Sequence, residues 1–115
     1  MKLYFHNQTD EPIWVCTMFL SKDACGDAGG WGTRGWWFLN PRDDVYVLDT
    51  DNNYVYFYAH SARGLVWAGP YGNVYVHRTA FDSCLDIGDN NPDTRVVHMQ
   101  EIYLDHGDHR VNLVV

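Results

Sequence analysis

Short runs of β-branched and aromatic residues return about every ten positions along this chain, each closed by turn-forming residues, a spacing that points to a sandwich or barrel. No stretch holds a helical period. Strands are expected over residues 3–6, 12–20, 33–39, 45–48, 54–59, 65–68, 73–77, 94–104 and 110–115. Residues 79–91 read either as a short strand around Phe81 or as a helical turn. The segment 12–20 is apolar at consecutive positions near its middle, as a central strand covered on both faces must be. In 54–59, Val55, Phe57 and Ala59 share one side and Tyr54, Tyr56 and Tyr58 the other. The first set is expected to face the core. Asn40-Pro41-Arg42-Asp43 reads as a type I turn. Residues 45–48 and 54–59 read as a hairpin, and 105–108 as the tip that turns 94–104 into 110–115. The expected fold is all-β: a single-domain antiparallel β-sandwich of about eight or nine strands over residues 1–115.

A chain of 115 residues has room for one domain with a genuine hydrophobic core. Its 46% hydrophobic and 20% charged residues are the proportions of a globular protein. The net charge of −7, with only 8 Lys and Arg in all, argues against nucleic acid, whose affinity comes largely from neutralised phosphates. The same balance disfavours anionic membrane surfaces and permits cationic or basic partners. No run is long and apolar enough for a membrane span, and the polar N-terminal residues hold no secretory h-region. Three cysteines, Cys16, Cys25 and Cys84, are too few and odd in number for a disulfide framework. Free thiols and a cytoplasmic location are the expectation.

Several motifs occur together in a fixed order. Asn7, Thr9, Pro12, Ile13, Trp14 and Val15 open the series, followed by Gly30-Trp31-Gly32-Thr33-Arg34-Gly35-Trp36-Trp37 and the Asn40-Pro41 turn. The aromatic strand from Tyr54 to Ala59, then Val66-Trp67-Ala68-Gly69, then Phe81 to Cys84 complete it. In these residues, which span most of the chain, the sequence resembles the bacterial family catalogued as domain of unknown function 1036. The resemblance implies a β fold and no agreed activity. Many members of that family are cysteine-rich, whereas Asp43-Asp44 and Val76-His77 stand near the expected cysteine positions here. Neither a disulfide pattern nor export is therefore carried over.

Three kinds of site are conceivable. Aromatic rings offer large, stiff contact areas for sugars, bases or cationic heads. Trp31, Trp36, Trp37, Tyr56 and Trp67 are the candidates, although core packing accounts for most rings in a strand-rich chain. Strand alternation sends Trp36 and Trp37 to opposite faces, so one of them needs cover outside the core. Trp31 is read as part of a glycine-rich loop over residues 21–32. A second possibility is calcium held by Asp86, Asp89, Asp93 and the asparagines between them, or zinc held by His106 and His109. Solvated turns are the favoured reading of both clusters, and the acidic one lacks EF-hand spacing and a closing glutamate. A third is a thiol nucleophile, Cys84 or Cys16, paired with a histidine. Cys16, between Val15 and Thr17 in a strand, fits an inert buried thiol, and no nucleophile elbow, phosphate loop or dinucleotide fingerprint is present. The leading expectation is a non-catalytic binding or interaction module, without cofactor, that engages a protein or small-molecule ligand through an exposed aromatic patch and the glycine-rich loop. A metal-binding domain and a small Cys/His-dependent enzyme are the rivals.

Overall fold

The computed structural model of the protein describes residues 1–20, 30–84, 94–105 and 107–115. Among them are ten strands: β1 (Lys2–Asn7), β2 (Ile13–Leu20), β3 (Trp31–Leu39), β4 (Asp44–Asp49), β5 (Tyr54–Ser61), β6 (Val66–Trp67), β7 (Tyr71–His77), β8 (Phe81–Cys84), β9 (Thr94–Tyr103) and β10 (His109–Leu113). The described residues contain no helix long and apolar enough to cross a membrane. The strands form a three-stranded sheet in the order β10-β1-β4 and a larger one in the order β7-β9-β5-β2-β3-β8, with β6 alongside β5. All pairings are antiparallel except β1 with β10, which is parallel. The all-β expectation holds, and the segment around Phe81 is a strand.

Two of the expected hairpins do not form. β4 pairs with β1 while β5 pairs with β2 and β9, so residues 49–53 carry the chain from one sheet to the other. β10 likewise leaves β9 and lies beside β1. Both crossings are tied down by the backbone groups that a hairpin would have paired: the Thr50 amide donates to the Met1 carbonyl at 2.9 Å, and the Leu104 amide to the Asn53 carbonyl at 2.7 Å. The Asn40–Asp43 turn also differs from expectation. Arg42, its third residue, has φ 73°, the left-handed setting of a type II turn. A non-glycine residue is held there by anchors, since its guanidinium donates to the Thr9 carbonyl and to Asp10, both at 2.7 Å. Buried Asn7 completes this corner, donating to the carbonyls of Glu11, Leu39 and Asn40 and accepting from the Thr9 amide and hydroxyl. The Asn-x-Thr pattern is thus a structural knot between the sheets.

The first core lies between the sheets. Leu3 and Phe5 of β1, Val47 and Leu48 of β4 and Leu113 of β10 meet Ile13, Val15, Leu39, Val55, Phe57, Ala59, Ile102 and Leu104. The prediction that Val55, Phe57 and Ala59 face the core is correct. β2 sits at the centre of the larger sheet, as its apolar middle requires, and its other face builds a second core. Cys16, Met18 and Tyr58 pack there under Val74 and Val76 of β7 and Val97 and Met99 of β9. β9 makes this possible by serving two neighbours. Its later residues pair with β5 and bury Ile102 in the first core, while its earlier residues pair with β7 and bury Val97 and Met99 in the second. The β7–β9 ribbon therefore curls over the outer face of β5, β2 and β3. A hydrogen bond from the Trp36 indole nitrogen to the His77 carbonyl, 2.8 Å, clasps β7 to β3.

Candidate functional site

The curling ribbon covers only the middle of that outer face, so aromatic residues at its two ends border hollows. Cross-strand register places Met18 beside Tyr56 and Leu20 beside Trp31, and residues paired across a sheet point to the same side. At this end Trp31, Tyr56 and Tyr71 wall a groove of about 300 Å³, which Met18, Gly72, Asn73 and Val74 also line. The Trp31 and Tyr56 rings meet at 5.6 Å and 67°, and those of Tyr56 and Tyr71 at 5.0 Å and 58°. Steep angles make the rings walls of a corner and not one flat platform. Gly72 is needed where this wall passes His98, because a Cβ there would run into the imidazole.

A carboxylate stands beside Tyr56. Glu101, the cross-strand partner of Tyr56, accepts a hydrogen bond from the Tyr56 hydroxyl at 3.1 Å. Burial, followed by the Glu101 carboxylate, raises the pKa of Tyr56; the carboxylate is the main cause of a like rise at exposed Tyr71. The described lining contains no Lys, Arg or His.

At the opposite end of the face, Trp14, Trp36, His60 and Arg78 line a smaller hollow of about 210 Å³. His60 stacks on Trp14 at 5.6 Å and 24° and meets the edge of Trp36 at 5.2 Å. Its Nδ1 has no hydrogen-bond partner among the described residues, and burial, with a smaller contribution from Arg95, pushes its pKa down.

The five aromatic candidates are thereby separated. Trp31 and Tyr56 share the larger groove, and Trp36 lies in the smaller hollow. Trp37 packs against the first core, on the face opposite Trp36, as alternation demands. Trp67 also packs there, its indole nitrogen donating to the Val114 carbonyl at 3.1 Å. Trp31 is not in a loop: it is the first residue of β3, in register with Leu20. Its flanking glycines suggested a loop, yet Gly32 pairs with Phe19 within the sheet.

Asp86, Asp89, Asp93 and His106 lie outside the described residues. His109 begins β10, next to Leu3, and no group of three or more metal-ligating side chains is present among the described residues. Cys16 is a free, fully buried thiol whose pKa burial drives far upward, which leaves it protonated and unsuited to nucleophilic attack. Cys25 and the Cys84 side chain lie outside the described residues.

Sequence reading missed Met18, Tyr71, Asn73 and Glu101. Tyr71 stands between Pro70 and Gly72 and reads as turn, although it opens β7. Glu101 matters only through its register with Tyr56. No family model, no curated protein and no solved structure matches the chain.

Proposed function

We propose that this chain is a non-catalytic binding module whose recognition site is the groove between Trp31, Tyr56 and Tyr71. The observation that carries this reading is the convergence of three aromatic walls, from three strands of the larger sheet, around about 300 Å³ of open space. That volume is at the lower end for small-ligand sites, which are concave, mostly apolar and largely preformed. Rings mounted on β3, β5 and β7 lose little further freedom when a ligand arrives, so little of the contact energy is spent on ordering them. A small-molecule ligand suits the groove better than a folded partner, which needs a far larger contact area.

The reading is tested by screening a chemically diverse fragment library against isotope-labelled protein. Hits should shift the Trp31 indole resonance and the amides of Tyr71, Asn73 and Val74. Hits confined to the Trp14–His60 hollow, or scattered without preference, would refute the assignment.

A further inference from the structure

We infer that the groove takes a small organic cation, a molecule carrying a methylated ammonium head, held within the corner of Trp31, Tyr56 and Tyr71 beside the Glu101 carboxylate. This rests on the groove being the binding site, and three features select the ligand class. The first is shape. A sugar or a base stacks on a flat, exposed ring, but here neighbouring rings stand at 67° and 58° to one another. Such walls present several π faces and edges towards one volume, which suits a compact rounded head. The second is charge. Glu101 reaches the hydroxyl of Tyr56 and acts electrostatically on that of Tyr71, so negative potential is focused where the two phenols meet. No basic side chain lines the described groove to offset it. The third is the floor. Met18 and Val74, both nearly buried, supply apolar contact that methyl groups use and a primary ammonium does not. An ammonium whose protons are replaced by methyls loses little by leaving water, and it gains the attraction of the ring faces.

Choline and its neutral isostere 3,3-dimethyl-1-butanol have nearly the same shape and differ in charge. Titrations followed by Trp31 fluorescence and by the amide shifts of Tyr71 and Asn73 should show choline binding about tenfold more tightly than the isostere. Tyr71 and Glu101 are exposed, so Tyr71→Ala and Glu101→Gln should leave the fold intact. Tyr71→Ala should weaken choline about tenfold. Glu101→Gln should weaken choline several-fold while leaving the isostere unchanged. Equal affinity for the two compounds, or indifference of choline to Glu101→Gln, overturns the cation assignment while leaving a binding groove in place. Binding only of a trimethyl-lysine peptide overturns the small-molecule assignment. If neither choline nor the fragment library perturbs the groove, the binding-module reading falls as well.

Discussion

The two faces of β2 have opposite fates. Towards the three-stranded sheet, Ile13 and Val15 enter a core built mainly of buried aliphatic chains with Phe5 and Phe57. Towards the β7–β9 ribbon, Trp14, Cys16 and Met18 enter a layer rich in rings and covered only in its middle. Three strands, with half-buried Phe19, Trp37 and Trp67 packed against the cluster, cover the first core more fully, and that core holds the fold together. A two-stranded ribbon is too narrow to cover the central strands, and its margins become hollows walled by tryptophan and tyrosine. The candidate site is thus a consequence of incomplete cover.

Opening the closed side should destabilise the protein most. Phe57 is 3% exposed and packs against Phe5 at 5.2 Å. Phe57→Ala should cost about 3–5 kcal/mol, the usual range for truncating a buried ring, as read by urea denaturation. A loss under about 1 kcal/mol would mean that the closed core is not the main support of the fold.

Overfilling the open side should cost less. β3 carries a bulge opposite Val15 and Cys16, and Gly35 faces the second core there. A Cβ at Gly35 would lie 2.7 Å from the Cβ of Cys16 and 2.9 Å from the Phe81 ring. The Cys16 atom is fixed by its own strand, so Gly35→Ala should destabilise by about 1–3 kcal/mol, the usual cost of overpacking. Because β7 is clasped to Trp36, the change should also alter tryptophan fluorescence. Unchanged stability would show that the second core has slack to absorb a methyl group.

Among the described residues, two threonines on opposite sides of the larger sheet each bury a hydroxyl without a partner. Thr17 is in register with Phe57 on the closed face, Thr33 with Met18 on the open one, and neither Oγ1 has a hydrogen bond. An unmet buried hydroxyl costs free energy, so Thr17→Val and Thr33→Val should each stabilise by about 1 kcal/mol. A gain at Thr17 alone would sharpen the contrast, because it would mean that water reaches the open layer.

Most strands could be read from the chain because their signals are local: alternation in Tyr54–Ser61, a doubly apolar run in Ile13–Leu20, turn residues between them. The partners of those strands could not. Nothing local distinguishes residues 49–53 as a crossing between sheets from a hairpin loop, since both need the same polar, turn-forming residues. The same limit hid the site. Trp31 and Tyr56 were visible as unusual aromatics, but their meeting depends on β2 standing between β3 and β5. Tyr71 and Glu101 join them only because β9 curls β7 back over the sheet, and that depends on pairings distant in sequence.

Acid should act more weakly than these substitutions, and unequally on the two layers. His60 lies at the margin of the second core between Trp14 and Trp36, while among the described residues no titratable side chain is buried in the first. Burial, and then the nearby charge of Arg95, lowers the His60 pKa below the value of about 6.5 that the unfolded chain shows. Between the folded value and about 6.5 the unfolded state therefore binds more protons than the folded one, so stability rises with pH across that window. The contribution is complete above about 6.5 and is lost as pH falls towards the folded value. Thermal melts at pH 7.5 and 5.5 should show a drop for the wild type that is smaller in His60→Gln, the difference isolating this residue from the other histidines. Amide exchange should locate the loss. On acidification, Val74, Val76 and Val97 should lose protection before Leu3 and Phe5, because local opening starts in the less completely packed unit. Equal loss in both groups would show that the two cores open as one and that His60 acts on the whole fold.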